Sequence, residues 1–224
     1  MATRRNGSPA RSRAGEAINT HRRSTMTYAI VGFGKIGQAL AHAFARKNIN
    51  VTVASRRPPE TLTPRARAIG PTVVAKSLRD ALEADTIILA VPFGEHREVA
   101  KALPSWKGKT VIDAMNLFPV PEELESLPSS AVVAKSFTGA KVVKGFNHLI
   151  AATLATDPVV EGGHRVVFLS SDDEDATASV AALAKQLGFA PVKLGKLNEG
   201  GALVHARGRA WGQLIFQDLF KKEP

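Results

Sequence analysis

The feature that most narrows what this chain can fold into is an order of three elements beginning at residue 27. An apolar strand ending in Ala29-Ile30-Val31 runs straight into Gly32-x-Gly34-x-x-Gly37 and from there into an alanine-rich helix. Strand, glycine turn and helix in that order are what dinucleotide binding requires. Gly32 allows the tight turn, Gly34 lets backbone approach a pyrophosphate with no side chain in the way, and Gly37 lets helix and strand pack closely. Phe33, Lys35 and Ile36 fill the positions between. The free N–H groups at the helix start then face the anion.

The end of the second strand decides which dinucleotide. A carboxylate about 20 residues past the glycines would hydrogen-bond the ribose 2′-hydroxyl of NAD or FAD. This chain carries Val53-Ala54-Ser55-Arg56-Arg57 there. One hydroxyl and two guanidinium forks suit a 2′-phosphate and leave NAD without its usual ribose acceptor. NADP(H) is the cofactor this pattern implies.

Strands and helices alternate from residue 27 onward, the pattern of an α/β fold built on a Rossmann-type, doubly wound parallel sheet. Strands are expected at 27–31, 50–54, 72–74, 86–91, 110–113, 141–145, 165–169 and 191–194. Helices are expected at 35–47, 64–69, 78–84, 94–103, 129–138, 148–154, 174–187 and 202–220. The expected organisation is a basic, disordered leader over 1–25, an NADP-binding domain over 26–147, and a small α/β region over 148–224 packed on it. Met26, immediately before the first strand, makes a natural start.

The formal charge of +10 reads as a nucleic-acid signal until it is located. Residues 1–25 hold six arginines, Arg4, Arg5, Arg11, Arg13, Arg22 and Arg23, against the single Glu16, so 6 − 1 gives +5. Half of the excess therefore lies outside the expected fold, and no nucleic-acid partner is expected. No stretch approaches the roughly 20 apolar residues of a membrane span. Without cysteine there is no disulfide, thiolate nucleophile or thiolate metal site. No metal site is expected, and a cytoplasmic location fits.

In an open parallel sheet, ligands lie beyond the carboxyl ends of the strands. The loops that follow those ends contain Ala90, Val91 and Pro92, then Asn116, then Gly145, Asn147 and His148. Asn116 and Asn147 have the groups to bond a ribose or carboxamide, and Pro92 the shape to wall a nicotinamide. His148 is the loop histidine that qualifies as an acid or base, and Asn116 is the other candidate beside it. As a helix-start residue satisfied by backbone, His148 has an equally good structural reading.

These residues resemble one family, the F420-dependent NADP oxidoreductases and their NADPH-dependent relatives, including the cytosolic reductase domains of STEAP metalloreductases. The likeness runs from Met26 to the C-terminus. It rests on the glycine loop, on Val53 to Arg57, on Ile88 to Pro92, on Val111 to Asn116, on Val142 to Asn147, and on the late segment from Gly195 to Gly201 with its following helix. It implies NADPH on the glycine loop, its 2′-phosphate on Ser55 and Arg56, and its nicotinamide near Val91, Pro92, Asn116 and Gly145 to Asn147. F420 or a flavin would be the second redox carrier, stacked on the nicotinamide, and the last helix would join two copies in a dimer. Two loops depart from the family pattern, Gly145 to His148 and Asn116 to Pro119, and both border the acceptor.

The expected activity is hydride transfer between NADP(H) and a flavin-like or F420-like acceptor. Two other readings stay open: reduction of a small carbonyl or imine, as in pyrroline-carboxylate reductases, and a non-catalytic NADPH sensor.

Overall fold

The computed structural model describes residues 26–117 and 127–204, and the backbone of 219–221. The core is a parallel sheet of six strands: β1 (Tyr28–Val31), β2 (Val51–Ala54), β3 (Val73–Ala75), β4 (Thr86–Leu89), β5 (Thr110–Asp113) and β6 (Lys141–Lys144). They lie in the order β3-β2-β1-β4-β5-β6. Strand order therefore reverses at β1, which pairs with β2 on one side and β4 on the other. That is the crevice-forming position of a doubly wound sheet.

The strands are buried on both faces, which is why their sequences are continuously apolar rather than alternating. Ile30, Ile88, Ile112 and Val143 face one hydrophobic cluster, shared with Leu40 and Phe44 of α1 (Lys35–Arg46) and with Val180, Leu183 and Ala184 of α7 (Glu174–Gln186). Their neighbours Val31, Ile87, Leu89, Val111 and Val142 face a second cluster. It is completed by Val99 of α4 (His96–Lys101), by Val133 of α5 (Ser129–Ser136), and by Trp106 and Phe137. The indole and phenyl rings meet edge to face at 4.6 Å, and Trp106 Nε1 donates to the Ala100 carbonyl at 2.9 Å. A buried indole thus meets both its apolar and its polar requirement.

Several expectations are corrected. The helix expected at 64–69 is α2 (Pro59–Ile69), five residues longer at its start. Pro59 occupies the first turn, where its missing N–H costs nothing, while Pro64 lies inside the helix and reads in sequence as a beginning. The expected helix 94–103 is a 3-10 turn, Phe93–Glu95, followed by α4. Leu78–Ala81 forms α3, capped by the Ser77 hydroxyl, which accepts from the Asp80 N–H at 3.1 Å.

Beyond β6 the sheet is no longer parallel. After α6 (Ala151–Ala155), a short β7 (Val159–Val160) turns into the nine-residue β8 (Gly163–Ser171). β8 runs antiparallel to β6 and to β7, and parallel to β9 (Ala190–Lys193). The region after residue 147 therefore extends the same sheet. The helix expected over 202–220 is not what the described residues form. α8 covers Gly200–Leu203, and Leu219–Lys221 is a strand, β10, antiparallel to β8. The apolar positions Trp211, Leu214 and Ile215, which fall on that expected helix as core or a dimer contact, lie outside the described residues. No helix among the described residues is long and apolar enough to cross a membrane.

Candidate dinucleotide site

A cleft of about 530 Å³ opens at the reversal point, above the carboxyl ends of β1, β2 and β4. Its floor is Gly32, Phe33, Gly34 and Lys35. One wall is Ser55, Arg56 and Arg57, and the other is Ala90, Val91 and Pro92. Ten of the sequence-derived site residues thus come together in one place.

The turn geometry explains the glycines. Gly32 has φ +101°, which disfavours any L side chain, and a Cβ there would meet the Ala90 carbonyl oxygen at 2.4 Å. A Cβ on Gly37 would meet the Gly32 carbonyl oxygen at 1.9 Å, so helix and turn touch backbone to backbone. Gly34 is the opposite case, because nothing lies within 4 Å of a Cβ built on it. Open space above Gly34 is the cradle a pyrophosphate needs. The helix start is prepared for an anion too: α1 has no side-chain cap and no acidic residue in its first turn, so its leading N–H groups face the cleft without an internal carboxylate. The residues present fit a dinucleotide.

Ile36 and Gly37 do not line the cleft; they fix the turn from behind, Ile36 packed against the first cluster. Arg65 and Leu62 do line it, and the sequence reading passed over both. They lie three residues apart on α2, on one face, a spacing visible only when the helix is started at Pro59. Glu95 is also new. It forms an ion pair with Arg56 at 2.9 Å, from the opposite wall.

A second group of expected residues gathers at the ends of β5 and β6, outside the cleft lining. Asn116 Nδ2 donates to the Asn147 carbonyl at 2.8 Å, and Asn147 Nδ2 donates to Asn116 Oδ1 at 3.0 Å and to the Val204 carbonyl at 2.8 Å. The two amides bind each other and anchor the chain at Val204. Gly145 adjoins them, and a Cβ there would meet Leu169 Cδ2 at 2.7 Å. His148 is a correction. It is 1 % exposed, its Nε2 lies 3.0 Å from the Val166 carbonyl, and its ring packs on Phe168 at 4.9 Å. The strand that covers it, β8, was not expected to run beside β6; in this position His148 is a packing residue.

Beneath the amide pair lies a buried ion pair. Asp113 and Lys144 are register partners at the ends of β5 and β6, 0 % and 1 % exposed, with Nζ 3.3 Å from Oδ2. Asp113 also accepts from the Ser130 hydroxyl at 2.6 Å and the Met115 N–H at 3.0 Å, while Lys144 Nζ donates to the Met115 carbonyl at 2.6 Å. Burial pushes the Lys144 ammonium below its ordinary range, opposed by Asp113. Among the described residues no group of three or more histidine, aspartate or glutamate side chains could hold a metal ion.

His96, at the start of α4, is 1 % exposed, and its Nδ1 faces the Phe93 carbonyl. Burial holds its pKa below the ordinary 6.5. The unfolded chain therefore binds more protons than the folded one in the window just below pH 6.5, and stability falls as pH drops through it. Urea unfolding at pH 7.5 and 5.5 should show this loss in the native chain and a smaller one in His96→Gln.

Comparison with known proteins finds chains of similar sequence and fold. A hypothetical protein of Sinorhizobium meliloti has a structure with a TM-score of 0.82 to this one and 40% identity, over 91% of this chain and 100% of that one. Residues 27–117 match the family model described as NADP oxidoreductase, coenzyme F420-dependent. Over that segment, which holds the glycine turn and the basic end of β2, the chain is similar to the F420-dependent NADP oxidoreductases. A proposed F420-dependent NADP-reductase of Arthrobacter sp. FB24 is 26% identical, with a TM-score of 0.65 over 86% of this chain and 90% of that one. Among curated proteins, metalloreductase STEAP2 of Mus musculus is 31% identical over 77% of this chain, a match that takes in 34% of its own length. The chain thus spans about a third of the length of the curated relatives it matches. The segment that matches the family model carries the glycine turn and the basic end of β2, which meet in one cleft.

Proposed function

We propose that this protein is an NADPH-dependent oxidoreductase that transfers hydride between NADP(H) and a flavin-like or F420-like acceptor. The observation that carries the reading is the joining, in one cleft, of the glycine cradle and the Ser55-Arg56-Arg57 wall. When bound, the reduced nicotinamide supplies two electrons and a proton equivalent in a single transfer. The chain's residues supply the rest. The amides at the start of α1 hold the pyrophosphate, Arg56 and Arg57 hold the 2′-phosphate, and Val91 and Pro92 limit water at the ring. Transfer between two ring systems needs alignment more than a proton donor, which suits a cleft where His148 is turned away into the core.

The test is a calorimetric titration with NADPH and NADH, followed by anaerobic NADPH oxidation with F420, FMN or FAD. The native protein should prefer NADPH, and Arg56→Ala should weaken NADPH about 10- to 100-fold, the span of one or two charge-assisted hydrogen bonds, with NADH unchanged. Equal affinity for the two nucleotides in the native protein would sink the cofactor reading. Tight NADPH binding without turnover by any acceptor would sink the catalytic one.

A further inference from the structure

Arg56 and Glu95 come from opposite walls of the cleft. Arg56 follows β2 and Glu95 ends the 3-10 turn that follows β4, and these strands flank β1 on its two sides. The 2.9 Å contact between Arg56 Nη1 and Glu95 Oε2 therefore spans the crevice from which the glycine turn emerges. A carboxylate sits where a 2′-phosphate ligand would seek the guanidinium.

We propose that Glu95 is a positioning residue that competes with the 2′-phosphate for Arg56, and so sets how tightly the phosphorylated dinucleotide is held. The proposal rests on the reading of Ser55 to Arg57 as the 2′-phosphate end. A guanidinium presents planar pairs of N–H groups, and the pair that includes Nη1 cannot fork onto a phosphate while Nη1 is bonded to a carboxylate. The Arg56 side chain is 76% exposed and the Glu95 side chain 29%, so the bridge is loosely held, and a dianion displaces it at small cost. Glu98, one turn along, is engaged by Lys101 at 2.8 Å and does not take its place. A nucleotide with a bare 2′-hydroxyl brings no charge that would draw Arg56 off Glu95. The competition therefore weakens only the phosphorylated form, and it speeds release of NADP⁺ as much as it loosens NADPH.

Affinities of NADPH, NADP⁺ and NADH, measured by calorimetry on the native protein, Glu95→Gln, Glu95→Asp, Arg56→Ala and the Arg56→Ala/Glu95→Gln double variant, test it. Glu95→Gln should tighten NADPH and NADP⁺ by about two- to fivefold, the span of an exposed ion pair, and leave NADH unchanged. Glu95→Asp should fall between native and Gln. In the Arg56→Ala background the Gln substitution should have no effect, because the competition runs through Arg56. Weaker NADPH binding in Glu95→Gln, no change, or an equal gain in the Arg56→Ala background each overturns the proposal. An Arg56→Ala variant that keeps full preference for NADPH over NADH overturns the 2′-phosphate reading itself, whatever Glu95 does. Thermal midpoints within about 2 °C of native, as expected for a change at a half-exposed side chain, confirm that each variant is folded.

Discussion

Lys144→Met will destabilise the protein by about 3–5 kcal/mol, the cost of leaving one member of a buried ion pair without its partner. The substitution keeps the volume of the side chain but strands the Asp113 carboxylate, which is 0 % exposed, and frees the Met115 carbonyl that Lys144 now satisfies at 2.6 Å. For a chain of this size that corresponds to a thermal midpoint lowered by about 10 °C. The Lys144→Met/Asp113→Asn double variant should recover part of the loss, since the stranded charge is then gone, the amide oxygen still accepts from the Met115 N–H, and the amide N–H turns toward the Ser130 hydroxyl, which accepts from it. An unchanged midpoint in Lys144→Met would mean that the pair is not what joins the ends of β5 and β6.

Gly34→Val separates folding from cofactor binding. Gly34 has φ −77° and ψ −162°, extended backbone that valine adopts without strain, and among the described residues none beyond its chain neighbours lies within 4 Å of the added Cβ. The fold should accept the side chain, with a midpoint within about 2 °C of native, as at a surface site away from packing. The isopropyl group would project into the space a pyrophosphate takes. NADPH affinity should fall by at least about 100-fold, the result of losing two or more charge-assisted backbone hydrogen bonds. Gly37→Val is the contrasting variant: its Cβ would stand 1.9 Å from the Gly32 carbonyl oxygen, and it should fail to fold. If Gly34→Val binds NADPH as the native protein does, the pyrophosphate lies elsewhere.

What could be read from the sequence was what is encoded locally. The glycine turn, the helix behind it and the basic end of β2 are contiguous patterns whose spacing is fixed by one βαβ unit, and all of them meet in the cleft. The continuous apolar run of β4 gave away a strand covered on both faces. The direction of β8 was not legible, because apolar composition is the same whether a strand runs with or against its neighbour, and that direction is what buries His148. Nor was the Arg56–Glu95 contact, which depends on β2 and β4 lying on either side of β1. A partial signal existed for the buried pair: Lys144 closes an apolar strand, and Asp113 closes the one before it. Two opposite charges at the same end of adjacent parallel strands are in register whenever those strands pair.

At the end of the sheet away from the cleft, β1 and β4 are fastened together. Asp85 Oδ2 accepts from the Thr27 N–H at 2.9 Å and from its hydroxyl at 2.7 Å, and the Asp85 N–H returns a bond to that hydroxyl at 3.0 Å. These bonds from Thr27 hold the Asp85 carboxyl below its ordinary range. Two of the three strands beneath the cleft, β1 and β4, are thus clamped at the base like the arms of a tuning fork. Splaying them at that end would break all three bonds. The side chains and loops above the cleft, free of this clamp, move in nanoseconds to microseconds.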